Sequence, residues 1–323
     1  MDFRKVQKTS DGTYFVTLPK SWVNLHKIER GSLLSFDAAK DGKLTLGLYR
    51  EDARTPASVV LSPTSMLERE IEEKYLLGYD HITIESNEVL HSKIRESAKT
   101  ILRKLVGLEI VEEDAHRLAI QCLIEPSLLA PEKIIRRLHS ITKAMQQDAV
   151  TAFRSCDRKL AATVIERDEE VDRLYFFLVR IVRTALTDLS AAERIHASLV
   201  DCLDYRLLAS FIEHFGDYSA SIAQNTPASD KYLSKTLSRN LDRGSRNVNS
   251  MYSFSIEAVL SRSLNMASKA SDLGKEALKA LELAERTLEG ASSDLLAKAT
   301  STISSLKSMC EVNIDIADLA ITR

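Results

Sequence analysis

Helix breakers are scarce in this chain. Its 323 residues include only ten glycines and six prolines, and four of the glycines (Gly12, Gly31, Gly42, Gly47) fall within the first fifty positions. The remainder is therefore predicted to be mostly α-helical. Cysteine is also sparse. The four cysteines, at 122, 156, 202 and 310, are never closely paired, which excludes a zinc knuckle or a disulfide scaffold and fits a reducing compartment. No long apolar run is present. The stretch Leu174–Val179 is of the order of the longest, far short of the roughly 18 residues needed to cross a bilayer, and no signal peptide is evident. A cytoplasmic protein without membrane insertion is expected.

Catalytic motifs are absent too. There is no Walker-type glycine loop, no nucleophile elbow and no H-E-x-x-H. Di-iron carboxylate bundles use Glu-x-x-His pairs on facing helices, and three such pairs occur here: Glu88/His91, Glu113/His116 and Glu193/His196. The middle pair falls in a predicted turn and the other two in different predicted domains, so no oxidase constellation forms. The chain is not expected to be an enzyme.

What the sequence does contain begins with an unusual N-terminal segment. Thr13–Leu18 and Leu33–Phe36 are short, apolar and partly β-branched or aromatic, and Asp11-Gly12 and Asp41-Gly42 read as tight turns. Pro19 ends the first strand, and Ser21 is expected to cap a short helix at about Trp22–Leu25. The first fifty residues carry nine Lys and Arg against five Asp and Glu, a net +4, whereas the whole chain is −2. A basic hairpin module thus precedes an acidic remainder.

Residues 51–66, with Pro56 and Pro63, read as a linker. A small α/β region follows, with helices at about 67–77 and 88–106 and strands at 81–85, 109–112 and 118–124. From Pro131 onward the pattern is helical, at about 132–155, 159–188, 191–225, 230–288 (with a break near Gly244) and 292–322. In the second of these, Val171, Leu174, Leu178 and Ile181 form an apolar stripe at helical spacing. The stretch 225–230 is the clearest internal boundary, because Pro227 cannot continue a helix and Ser229 or Asp230 can start one. Ile222-Ala223 and Ile316-Ala317 sit in similar contexts 94 residues apart, consistent with two three-helix units.

Two acidic pairs stand out, Asp168/Asp172 and Glu213/Asp217. Each is spaced i, i+4 and so presents two carboxylates on one helix face. By helical angle, Asp168 and Asp172 border the apolar stripe. Glu213 and Asp217 point away from Leu208, Phe211 and Phe215, among the small residues Ala209, Gly216 and Ala220. This places any shared site at the bundle surface. Such pairs are commonly plain solvated faces. Brought together, four carboxylates would repel unless neutralised by a hard or borderline metal ion. Spacing alone admits both readings.

Two family resemblances give these features a context. The strand, Leu18-Pro19-Lys20-Ser21-Trp22, the short helix, Glu29-Arg30-Gly31-Ser32 and the closing hairpin resemble the AbrB/SpoVT-type swapped-hairpin DNA-binding domain. This resemblance implies a homodimer with interleaved hairpins that binds double-stranded DNA through Arg4, Lys5, Lys8 and Lys20. The helical region resembles the PhoU family, through Glu166-Arg-Asp168-Glu-Glu-Val-Asp172-Arg-Leu174 and Glu213-His-Phe-Gly-Asp217-Tyr-Ser-Ala-Ser-Ile-Ala223. Leu105–Ile110 and Ile314–Ile321 resemble the archaeal form, which joins the two modules.

The resemblance implies a multidomain, mainly α protein. An N-terminal β swapped-hairpin domain (1–52) and a small α/β insert (53–127) would precede two tandem PhoU-like three-helix bundles (128–226 and 227–323). It implies a phosphate-responsive regulator of phosphate uptake, with metal (Fe, Zn or Mg) held by Asp168, Asp172, Glu213 and Asp217, and phosphate transporter subunits as further partners. An adaptor of a phosphate transporter, with the hairpin serving only for dimerisation, is the alternative. At the 94-residue offset, Glu213 and Asp217 map to Lys307 and Glu311, and Asp168 and Asp172 to Arg262 and Met266. No complete metal site is expected in the second unit.

Overall fold

The computed structural model describes residues 3–38, 42–48, 56–125, 129–228, 234–288 and 292–320. The chain divides after Thr55 into two units. In the first, β1 (Gln7–Lys8) pairs antiparallel with β2 (Tyr14–Phe15) around Gly12, whose φ of 95° suits a tight turn. Helix α1 spans Lys20–Leu25. Ser21 lies inside it and does not cap it: Pro19, with φ −61° and an extended ψ, holds the N-cap position. A second hairpin joins β3 (Leu34–Ala38) to β4 (Leu44–Leu48), with Leu34 opposite Leu48. Asp41 of the expected turn lies outside the described residues.

No residue of this first unit whose burial is described is buried. Phe3, Val6, Leu25 and Leu44 are 63–84% exposed. Two short hairpins without a covered apolar face are not independently stable.

The second unit opens with an α/β layer. Strand β5 (Ser58–Leu61) falls within the stretch read above as a linker. The flanking prolines, Pro56 and Pro63, masked its apolar run Val59-Val60-Leu61. β5 runs through α2 (Leu67–Leu76) into the parallel β6 (His81–Glu85). Then come α3 (Ser92–Lys104), β7 (Leu108–Glu113) and β8 (Arg117–Cys122), giving a four-stranded sheet of order β5-β6-β8-β7. Helix α3 is shorter than expected. His91 is its N-cap, and Gly107 at φ 84° turns the chain into β7. Ile82, Ile84, Leu118 and Ile120 from the sheet pack with Ile71 and Tyr75 of α2.

Six long helices and one short one follow: α4 (Pro131–Ser155), α5 (Arg158–Thr187), the short α6 (Leu189–Arg194), α7 (Leu199–Gln224), α8 (Lys235–Ser261), α9 (Leu264–Arg286) and α10 (Ser293–Leu319). The expected single helix 191–225 is interrupted. His196 adopts a left-handed φ of 54°, and Ser198 with Asp201 forms a capping box that starts α7. The expected 230–288 helix breaks at Arg262, left-handed at φ 53°, with Ser263 capping α9. Gly244 instead lies within α8, where an added Cβ would meet Leu281 Cδ2 at 2.8 Å, so it permits close packing of α8 on α9. Ser234 caps α8, while Ser229 and Asp230 lie outside the described residues.

Helices α4, α5 and α7 pack together, as do α8, α9 and α10, and one apolar core runs through both groups. Between α4 and α8 the contact is polar as well. Gln146 donates to Ser245 Oγ at 2.8 Å, Asn249 donates to Gln146 Oε1 at 2.8 Å and to the Lys143 carbonyl at 3.0 Å, and Thr142 and Tyr252 share a hydrogen bond of 2.8 Å.

Arg180 joins the α/β layer to the bundle. Its side chain is fully buried on α5 and donates to the Tyr75 and Tyr79 carbonyls at 2.7 and 2.8 Å and to Asp80 Oδ1 at 2.8 Å. Asp80 Oδ2 in turn accepts from the Ala57 N–H at 3.0 Å. Replacing Arg180 by Met leaves Asp80 and two carbonyls without their donor, so a loss of about 3–5 kcal/mol is expected. Urea unfolding of the variant checks this, and loosening should begin in the α/β layer, as seen by limited proteolysis.

Candidate metal centre

The acidic pairs meet because α5 and α7 run side by side and are rotated by their apolar contacts. Phe215, between Glu213 and Asp217 in sequence, points inward and stacks on Tyr252 of α8 with ring centroids 3.8 Å apart. This fixes the rotation of α7 and turns Glu213 and Asp217 outward. On α5, Val171 is fully buried and leaves Asp168 and Asp172 at the helix border, half-buried. Gly216 lets the helices approach. A Cβ there would lie 3.3 Å from Val171 Cγ1 and 3.5 Å from Asp168 Oδ1.

Carboxylate oxygens of Asp172, Glu213 and Asp217 all lie within 4.8 Å of one another, the one such acidic group among the described residues. Asp168 borders it, and its Oδ1 is buried with no hydrogen-bond partner. Burial, followed by Asp217 and Asp172, raises the Asp168 carboxyl to about 6. Glu213 is raised to about 7, first by burial and then by Asp217, Asp172 and Asp168, with Arg206 opposing. Asp172 and Asp217 are also raised, again first by desolvation. An all-oxygen donor set with an unsatisfied buried oxygen suits a hard or borderline cation, which would neutralise this repulsion.

Residues 135–226 match the family model of the PhoU domain. All four carboxylates fall inside that match. Among solved structures, the phosphate transport system regulatory protein PhoU from Streptococcus pneumoniae is similar over 59% of this chain and 91% of its own, at 14% identity and a TM-score of 0.50. PhoU from Pseudomonas aeruginosa is similar over 59% and 93%, at 17% identity and a TM-score of 0.48. No curated protein gave a significant sequence match. The helical part thus has a PhoU-like fold.

Within that fold the second three-helix group differs from the first. The starts of α7 and α10, at Leu199 and Ser293, keep the 94-residue offset, so Lys307 and Glu311 stand where Glu213 and Asp217 do. Lys307 pairs with Glu285 of α9 at 2.7 Å. The mapping of Asp168 to Arg262 fails, since Arg262 lies between α8 and α9 and binds Asp201 at 3.0 Å. Met266 sits in the first turn of α9.

Two groups near the site had no local signature in the sequence. Glu72 of α2 and Lys104 of α3 act electrostatically on Asp172, the first raising and the second lowering its pKa. Both come from the α/β layer.

The residues expected to contact DNA lie in the first unit. Arg4 and Lys5 precede β1, Lys8 is in it, and Lys20 opens α1; all four are exposed. The Arg4 guanidinium reaches Thr17 Oγ1 at 3.5 Å, and the Lys8 ammonium lies 5.2 Å from the centre of the Tyr14 ring.

A pH prediction follows from the crowded carboxylates. Their folded pKa values exceed the unfolded value of about 4. Between those limits the native state holds protons that the unfolded chain has released, so rising pH lowers stability. Without metal, the site should therefore cost stability progressively from pH 4 to pH 7. Asp217→Asn removes a charge that acts on Asp168, Asp172 and Glu213. Its melting temperature in chelator should match wild type near pH 4 and exceed it increasingly toward pH 7. A constant difference across that range would show that the carboxylates do not repel.

Proposed function

We propose that this chain is a phosphate-responsive regulator that controls phosphate uptake. In this reading a metal-binding PhoU-like helical domain senses or transmits phosphate status, and a dimeric N-terminal hairpin unit binds DNA. The observation that carries it is the convergence of Asp172, Glu213 and Asp217, with Asp168 beside them, inside the PhoU-domain match. Iron, zinc or magnesium fits the oxygen donors. Held by these carboxylates, such an ion would supply positive charge and open coordination positions suited to a phosphate oxyanion, while the protein orients the donors. No chemical turnover is assigned.

The N-terminal unit supports the DNA arm by its charge and its uncovered apolar side chains. A second copy supplies the missing cover, which pairs basic strands in a dimer. An adaptor reading, in which the chain regulates a phosphate transporter by protein contact and the hairpin serves only for dimerisation, is favoured by the regulatory protein whose structure the bundle resembles. DNA retention at physiological salt separates the two.

Three measurements test the proposal. Elemental analysis should find less bound metal in the Asp172→Ala/Asp217→Ala double variant than in wild type, with unchanged helicity, while Glu311→Ala keeps its metal. Equal metal in the double variant and wild type would remove the site. Sedimentation of the isolated 1–52 segment at micromolar concentration should show a folded dimer. A stably folded monomer would remove the swapped hairpin, and genome-wide occupancy confined to background would leave the adaptor reading.

A further inference from the structure

Helix α8 carries a second cationic surface, remote in sequence from the hairpin. At 100° per residue, Lys235, Arg239, Arg243 and Arg246 fall within an 80° sector, centred nearly opposite the buried Leu237, Leu241 and Val248. All four are exposed. They span about 16 Å of helix at 1.5 Å per residue. The one acid bordering this stretch, Asp242, is already held by two arginines, at 2.5 Å by Arg154 and at 2.9 Å by Arg246. Arg239 and Arg243 have no carboxylate partner within ion-pair distance among the described residues.

The character of this face points to its partner. None of the large exposed apolar side chains lies on α8. A protein interface needs a desolvated apolar centre, and a peripheral membrane helix needs apolar side chains to insert. This face offers neither. It offers three guanidinium forks, which match phosphate oxygens bidentately, and Ser250 on the same sector, a residue type that also bonds phosphate oxygens.

We propose that the exposed face of α8 docks on the backbone of duplex DNA, as a sequence-independent contact separate from the hairpin. It adds phosphate contacts and no base readout. The proposal extends the DNA arm of the function above without depending on the hairpin residues.

Full-length protein and a fluorescein-labelled duplex of arbitrary sequence provide the test, by anisotropy titration at several salt concentrations. Each phosphate contact contributes about 0.9 to the log–log salt slope. Replacing Arg239, Arg243 and Arg246 by Ala should therefore reduce the slope by about 2.7 per docked chain. Affinity at low salt should fall at least tenfold, equally for unrelated sequences. The side chains are exposed, so circular dichroism should not change. Arg239→Lys/Arg243→Lys/Arg246→Lys should retain most of the slope. Lys5→Ala/Lys8→Ala serves as the parallel variant. If only the lysine variant changes the slope, this proposal falls and the hairpin reading stands. If only the α8 variant does, the reverse holds. A wild-type slope in both, no binding by the wild type, or a loss confined to anionic phospholipid vesicles overturns docking of α8 on DNA.

Discussion

A buried guanidinium organises the larger unit. Arg180 sits on the helix that also carries Asp168 and Asp172, and its two terminal nitrogens donate to the end of α2, the turn after it and Asp80. An unpaired charge in that position would be strongly unfavourable, so the α/β layer has one place to sit on α5. The eight residues from Asp172 to Arg180 correspond to about 12 Å of helix. That short rigid span is why Glu72 and Lys104, on a different layer, reach the electrostatic field of Asp172. The candidate metal centre is thus coupled to the α/β layer through the helix they share.

The two three-helix groups show how one packing scheme tolerates opposite surface chemistry. Both keep a small residue where helices approach, Gly216 in α7 and Gly244 in α8. In the first group the outward face carries carboxylates whose pKa values are raised by burial and, for Asp168, Asp172 and Glu213, by their carboxylate neighbours as well. In the second, a lysine at the corresponding helix position pairs with Glu285. Such crowding of like charges is a local conflict of the kind expected at functional sites.

Much of this was legible in the sequence. The scarcity of glycine and proline announced the helices, and the i, i+4 carboxylates announced the face that bears them. The misreadings have a common origin in backbone chemistry without a signature residue. His196 and Arg262 turn the chain through left-handed conformations usually left to glycine, so these two breaks carry no sequence signature, whereas Gly244 lies within a continuous helix. Strand β5 was hidden by prolines at both ends of an apolar run. Spacing could show that each acidic pair shares a face, but not that the faces oppose each other. That depends on Phe215 stacking on Tyr252, a contact across two helical groups. Arg180 reads in sequence as one more helix arginine, and only its burial reveals its role.

The hydrogen bonds between α4 and α8 have a consequence for motion. Gln146, Asn249, Ser245, Thr142 and Tyr252 are buried and find their partners mainly across the contact between the two groups. Sliding one helix past the other by a single turn would strand amides and hydroxyls away from water, at about 1–3 kcal/mol for each unsatisfied group. An apolar seam would have permitted such ratcheting. This one favours a fixed register, so any displacement of α7 and Phe215 would reach the second group as a change of tilt and not as a change of pairing.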